Sequence, residues 1–533
     1  MFLHENLFGL RPGTLLSEVA RIDQPFVPVI GGIILCFLSW LAIKLGRANV
    51  VDPIEANALH GGRMSFRDSA YLALQTLVSN GFGSSVGLEA GYTQLGSGAA
   101  SSLGRWMRLR REDMRVIVGC GAAGAIAAAF NGPFTGAFYA FELVLAQYAI
   151  GYVAPVMAAS ISATIAMRAF GGAPFAVTIA ASRDVLGWDI PFFLLLGLVG
   201  AGIGIMWMRA LPLAERAFMA TRTPRIAHPI IGGLLVGGLA MISPQVLSGG
   251  HGALEIGLFA GLGISAVITI AVLKIIASII SLGSGFRGGL FFSSLLVGAL
   301  VGRAVGLGIG AVWPEVNPDI TAFTLVGMGA VAAAVIGTPM TMSFLVLETT
   351  SDYGLTGAVL AAAITSNLVA RETFGYSFST WRFHLRGETV RSARDVAWVR
   401  ALTVARLMRV EPAIANKDMD IATFRTLYPL GSHQRVSLID EERVFFGMVT
   451  VADAYTEGRD AKASITSIAD LTAGALTPEM SIKEAMKTFD RTELDTLAVL
   501  DSLESRRLMG TLKESYATRR YAEEMEKAQE MTL

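Results

Sequence analysis

The sequence is poor in the residues from which most reactive sites are built. Its two cysteines, Cys36 and Cys120, both lie in apolar runs, and its six histidines are scattered from His4 to His433 without ligand spacing. That excludes a disulfide framework and a zinc site. Charge is scarce as well: 16% of the 533 residues are Asp, Glu, Lys or Arg, where soluble domains carry about 25%. The 43 basic side chains balance the 43 acidic ones, so no net field attracts nucleic acid. Nucleophile–base pairs, metal clusters and phosphate loops are also missing, and the chain does not read as an enzyme.

What is there is apolar surface and glycine. Hydrophobic residues make up 53% of the chain, and residues 1–386 hold only 42 of its 86 charged side chains. From Val116 to Met208 only Glu142, Arg168, Arg183, Asp184 and Asp189 are charged. Apolar stretches of this kind recur at the length needed to cross a bilayer, about 20 residues. The first begins near Val27, after a mixed leader with no cleavage pattern, and reads as a membrane helix. Glycines, 58 in all, gather inside the apolar region, as in SNGFGSSVGLEAGYTQLGSG (79–98) and SLGSGFRGGLFF (281–292). Irregular backbone at membrane depth must sit within protein or beside a watery cavity. Broken helices around a polar pathway are therefore expected.

The chain repeats itself. Residues 121–142 align with 327–348 at an offset of 206 with seven identities, including Pro133/Pro339, Thr135/Thr341 and Glu142/Glu348. Gly87-Leu88-Glu89 echoes Gly289-Leu290-Phe291 at an offset of 202. Two halves with paired glycine-interrupted segments point to a transport site between them. The basic loop 105–111, with Arg115, places that side of the membrane in the cytoplasm, and the basic stretch from Arg382 puts the charged tail on the same side.

Glu89 stands out as the one acid in its glycine-rich stretch, and an ionisable residue inside a membrane is a functional candidate. If a helix begins at Gly91, the N–H groups of Leu88, Glu89 and Ala90 face a cavity suited to an anion. The Glu89 carboxylate would compete with a permeant anion there, and its protonation would free the site. Gly288-Gly289-Leu290-Phe291-Phe292-Ser293 offers the same device from the second half, with a helix running to Arg303. Glu142 and Glu348, by their symmetry, read as acceptors for backbone donors, and Lys274 as a structural lysine.

On these motifs the first 386 residues resemble the CLC family of chloride channels and chloride/proton antiporters. GLEAG (87–91) resembles its GREGP/GKEGP motif, GGLFFSS (288–294) its GIFAP motif, and AAAFNGPFTGAFYAFE (127–142) its AAAFNAPLAGILFIIE segment, with GTPMTMSFLVLETT (337–350) as partner. The resemblance implies an all-α polytopic domain of two inverted repeats with broken helices, a homodimer in the bilayer, and one chloride pathway per subunit. It makes Glu89 the gating residue, and Leu88, Glu89, Ala90, Leu290, Phe291 and Phe292 anion-binding positions. The motif serine falls near Asn49, and the motif tyrosine at Ser379 in Ser377-Phe378-Ser379, with Tyr376 available only by a register shift. Leu143 stands where related antiporters often carry an internal proton-accepting glutamate. That departure favours passive chloride conduction over proton exchange; fluoride or another anion, or a ligand-sensing regulator, are further readings. The amino-terminal end looks short of the family's first spanning helix.

The tail repeats too: residues 404–456 and 467–517 each read as a βαββα module, followed by a charged helix from Arg519 to Gln529. The pair resembles CBS domains, as found behind many CLC proteins. Thr450 and Asp453 fit the nucleotide-binding positions of such domains, and Lys513 and Tyr516 replace them in the second copy. Both an adenine-nucleotide sensor and a purely structural, dimer-stabilising tail are consistent with this pattern. The expected divisions are a leader (1–26), the membrane domain (27–387), a linker (388–403), a first CBS domain (404–460) and a second with the terminal helix (461–533), in a bacterial inner (plasma) membrane protein.

Overall fold

The structure is a computed structural model that describes residues 2–10, 24–45, 50–171, 185–250, 261–385, 403–471, 474–492, 494–502 and 504–521. These residues form two compact units, one on either side of the stretch 386–402.

The first unit is helical. A short α1 (Phe2–Phe8) is followed by α2 (Val27–Lys44), α3 (Pro53–Leu59), α4 (Phe66–Gly81), α5 (Glu89–Trp106), α6 (Arg111–Phe130) and α7 (Pro133–Tyr139), which passes into a π-turn over Ala140–Val144. Then come α8 (Ile150–Ala169), α9 (Ile190–Met219), α10 (His228–Ile242), α11 (Ile264–Gly283), α12 (Phe291–Val312), α13 (Ile320–Ile336), α14 (Pro339–Thr350), α15 (Tyr353–Thr373) and α16 (Phe378–Leu385). Helix starts follow local chemistry: Asp52, Ser65, Asp319 and Asp352 accept N–H bonds as caps of α3, α4, α13 and α15, satisfying donors that the helix leaves free. Among the described residues, eight helical stretches are long and apolar enough to span a bilayer. Two expected boundaries move: α5 begins at Glu89 rather than Gly91, and α12 continues past Arg303 to Val312. Glycine inside α5 is tolerated because it lets backbones approach; a Cβ on Gly96 would lie 2.5 Å from Gly121 O of α6.

The internal repeat is visible as reciprocal contacts. Gly87 and Gly289 pair antiparallel, each N–H donating to the other's carbonyl at 2.9 and 3.1 Å. Ser85 N–H donates to Ser281 Oγ at 2.9 Å, and Arg287 N–H donates to Ser79 Oγ at 3.0 Å. The two donors, Ser85 and Arg287, are 202 apart in the sequence, and so are the two acceptors, Ser79 and Ser281, so each bond is the repeat image of the other. The 206 offset is equally exact in space. Glu142 accepts from Met340 N–H (2.9 Å), Thr341 N–H (2.9 Å) and Thr341 Oγ1 (2.7 Å). Glu348 accepts from Phe134 N–H (2.7 Å), Thr135 N–H (2.9 Å) and Thr135 Oγ1 (2.6 Å). Each glutamate follows or ends one helix and caps the start of the other, so α7 and α14 run antiparallel, and Phe138 stacks on Phe344 (4.3 Å) between them. The preceding helices end alike, on left-handed Asn131 and Gly337, the conformation that closes a helix C-terminus. The halves are thus inverted copies, as the sequence offsets imply.

The second unit holds two three-stranded sheets of one topology. After α17 (Val404–Leu407), the first comprises β1 (Ile414–Asn416), α18 (Ile421–Leu427), β2 (Arg435–Ile439), β3 (Phe445–Thr450) and α19 (Val451–Ala454). The second comprises β4 (Ala475–Leu476), α20 (Ile482–Thr492), β5 (Thr496–Leu500) and β6 (Leu508–Lys513), with residues 514–521 helical. In each sheet the first pair is parallel and the second antiparallel, with a register shift at Leu438/Ile439 and at Val499/Leu500. Ile439, Phe445, Met448, Ala498, Leu500 and Leu508 form a shared core between the modules. Two βαββα modules are therefore present, with exchanges at their edges: Val404 and Leu407 pack into the second module's core, and Ile465 into the first's.

Candidate functional site

The site lies where α5 and α12 begin. Leu88 precedes α5 and Leu290 precedes α12, so the opening N–H groups of both helices, the positive ends of their dipoles, converge across the Gly87–Gly289 pair. Glu89 is 4% exposed, and its Oε1 accepts the Phe291 N–H at 2.6 Å. A charge-assisted bond of this length is a strong one. The glycines make room for it: a Cβ on Gly87 would lie 1.9 Å from Glu89 Oε2, and one on Gly289 would lie 2.4 Å from Oε1. The carboxylate therefore rests directly against both glycines, and its Oε2 is buried with no hydrogen-bond partner among the described residues.

Aromatic packing closes the surroundings. Phe130 stacks on Phe292 (4.6 Å) and tilts against Phe291 (5.0 Å), and Tyr139 approaches Phe291 at 6.1 Å. The irregular chain before Glu89 is pinned by one face of α11. Ser278 meets the Ser85 hydroxyl at 3.1 Å and Ser281 receives the Ser85 N–H. Lys274, on the same face, is fully buried and donates to the carbonyls of Val246 (3.1 Å), Leu247 (3.4 Å) and Ser248 (2.6 Å), while Ser248 N–H reaches Gly83 O. Lys274 is thus a structural residue held by backbone carbonyls. Asn80 Nδ2 secures Val86 O at 2.7 Å. Non-helical backbone at membrane depth is satisfied here by side chains.

Of the residues singled out in the sequence, Leu88, Glu89, Ala90, Leu290, Phe291 and Phe292 are brought together. Asn49 lies outside the described residues. Ser379 is the second residue of α16, whose start is closed by Ser377 and Thr380, and its hydroxyl makes no hydrogen bond among the described residues. Tyr376, three residues before Ser379, packs its ring with Trp381 (5.4 Å) and Phe374 (6.3 Å). In the tail, Thr450 ends β3 and precedes α19, which carries Asp453; Lys513 ends β6 at the matching position.

One residue at the site escaped the sequence reading. Tyr139 is buried, with its ring 6.1 Å from that of Phe291. The signal was a tyrosine where the otherwise matching segment AAAFNAPLAGILFIIE has phenylalanine.

Comparison with known proteins decides the family. The pattern described as "Voltage gated chloride channel" matches residues 30–371. The chain belongs to that family. It is therefore a multi-pass integral membrane protein of a family of anion transporters, not of enzymes. A ClcB-like chloride channel protein of Ralstonia nicotianae is 31% identical over 352 residues, 65% of this chain and 82% of the relative. The H(+)/Cl(-) exchange transporter ClcA of Vibrio cholerae is 31% identical over 298 residues, 54% of this chain and 62% of the relative. A solved eukaryotic CLC transporter superposes with a TM-score of 0.61 at 17% identity, covering 96% of this chain and 93% of the other. That last likeness concerns the fold alone.

Proposed function

We propose that this protein moves chloride through a pathway that passes between the starts of α5 and α12, with the Glu89 carboxylate as its gate. The observation that carries this reading is the Glu89 Oε1 to Phe291 N–H bond at 2.6 Å: an anionic side chain occupies the helix N-terminus that would otherwise hold a permeant anion. Protonated, the side chain loses its attraction for those donors and yields the seat. Fluoride or another small anion would meet the same donors, and selectivity follows from how far they replace its hydration.

Leu143, apolar and buried in the π-turn after Glu142, supports passive conduction. Coupled chloride/proton exchange is the close alternative, supported by the H(+)/Cl(-) exchange transporters among the relatives. The basic loop 105–111 lies on the cytoplasmic face in this reading. The tail would be a CBS pair, supported by its two matching βαββα modules, with Thr450 and Asp453 as the positions for an adenine nucleotide.

The test is chloride efflux from liposomes carrying the purified protein, with a potassium shunt and external pH recorded. Glu89→Gln, which mimics the protonated gate, is expected to raise efflux and remove its acid dependence. Unchanged efflux and pH response in that variant would overturn the gate.

A further inference from the structure

We infer that Lys274 is a positioning residue of the gate: it holds Ser248 in a left-handed turn, and Ser248 holds Gly83 at the head of the loop that ends on Gly87, against the Glu89 carboxylate. The inference rests on Glu89 being the gate and deepens that reading.

An ionisable side chain at membrane depth is a functional candidate, and Lys274 is fully buried within α11. An ammonium has three N–H groups, and here they meet three carbonyls, those of Val246, Leu247 and Ser248. Burying such a charge is costly unless its donors are met, so the lysine and the turn fix each other. Little of the turn is open to water: Val246, Leu247 and Ser248 are buried, and Phe8, Val27, Val236 and Ala277 form one core with Val246 and Leu247. Ser248 has a φ of +55°, in the left-handed region that a residue with a side chain enters at a cost. Such a conformation persists only where its surroundings hold it. The shortest of the three lysine bonds, 2.6 Å, falls on the carbonyl of this residue.

The N–H of Ser248 reaches the gate loop. It donates to Gly83 O at 3.2 Å, and Gly83 is itself left-handed, at a φ of +84°. Between Gly83 and Gly87 the chain is fixed at Ser85 by Ser278 and Ser281, which follow Lys274 at i+4 and i+7 on one face of α11. Val86 O accepts from Asn80 Nδ2, and Gly87 pairs with Gly289. Gly87 is where the gate rests, since a Cβ there would lie 1.9 Å from Glu89 Oε2. Ser278 and Ser281 thus anchor the middle of the loop, and Lys274, through Ser248, anchors its head. Without the ammonium three buried carbonyls lose their donors, Ser248 relaxes out of the left-handed region, and Gly83 loses a fixed partner. The glycine wall against which the carboxylate rests then slackens, and the gate closes less well.

The test is chloride efflux at neutral pH from liposomes carrying the full chain, compared among the wild type, Lys274→Met, Glu89→Gln and the double variant at equal amounts of folded protein. Methionine fills most of the lysine's space but brings no N–H donor. Lys274→Met is expected to raise efflux about tenfold towards the Glu89→Gln level, the effect of a coupling of about 1.4 kcal/mol. In the Glu89→Gln background it should add nothing, because no anionic gate is left to hold. A lysine that only stabilised the fold would lower the yield of folded protein and leave efflux per folded protein unaltered. Gly83→Ala reaches the same link from the other side and keeps the lysine: alanine at a φ of +84° is strained, and its Cβ would meet Phe8 Cζ at 2.9 Å. It should raise efflux in the same Glu89-dependent way, and it decides the matter if Lys274→Met does not fold. Unaltered efflux in folded Lys274→Met, or in Gly83→Ala where that variant decides, would overturn the inference, as would an equal rise in the Glu89→Gln background. Failure of the gate itself shows elsewhere, as unaltered efflux in Glu89→Gln alone.

Discussion

Among the described residues, three contacts join a carboxylate to the start of a helix from the opposite half, and they are not alike. Glu142 and Glu348 are the same residue at equivalent positions, and each satisfies two N–H groups and a threonine hydroxyl of the other half. Both of their oxygens are occupied, so the contacts act as a two-fold clasp. At the third contact the symmetry is broken: Glu89 of the first half corresponds to Phe291 of the second, and the acid of one receives the N–H of the other. Among the described residues, one oxygen of Glu89 accepts the Phe291 N–H and the other has no hydrogen-bond partner. The comparison teaches that a fully satisfied carboxylate holds a fold together, whereas a half-satisfied one at the same kind of helix start is free to leave it.

Substitutions can break this contrast in order of size. Removing a clasp with Glu142→Ala orphans three half-buried donors, and since each unmet partner costs about 1–3 kcal/mol, the full-length protein should lose about 3–5 kcal/mol. Thermal unfolding in detergent checks this, and Glu348→Ala should match it closely if the clasp is symmetric. A smaller effect is expected of Glu142→Gln, which keeps an acceptor but loses the charge, about 1–2 kcal/mol on the same scale. Opposite behaviour marks the gate: Glu89→Gln should leave unfolding little changed and alter chloride efflux instead. Smaller again is Ser281→Ala, which leaves the Ser85 N–H without its acceptor and should cost about 1 kcal/mol; Ser79→Ala should do the same to Arg287.

The smallest effect lies in the tail. The Thr423 hydroxyl and N–H hold the Asp420 carboxyl below the usual carboxylate range. A folded value below the unfolded one means that the cap's contribution is present at neutral pH and is lost as pH falls below about 4. Asp420→Ala should speed amide exchange in α18 of the full chain at pH 7, and the wild type should approach the variant on acidification.

How much of this was legible depended on whether a feature repeats. The membrane character, the two inverted halves and the clasp glutamates could be read because the 202 and 206 offsets carry the same residues twice. Glu89 was legible for the opposite reason, as a lone acid among glycines. The start of α5 was misread at Gly91 because a glycine-rich run looks like loop; packing against α6, which needs small residues, overrides that propensity. Tyr139 was missed because one hydroxyl on a matched aromatic position changes neither periodicity nor hydropathy. Lys274 read as structural, but its three carbonyl acceptors come from a segment 26 to 28 residues away that no local pattern connects to it.

The central claim is that the Glu89 carboxylate sits where the anion would. The most direct test is a crystal structure of Glu89→Gln grown in bromide, read by anomalous scattering. The account predicts a bromide peak between Gly87 and Gly289 at hydrogen-bonding distance from the Phe291 N–H. Bromide found elsewhere in the membrane unit, with that N–H unoccupied, would contradict it.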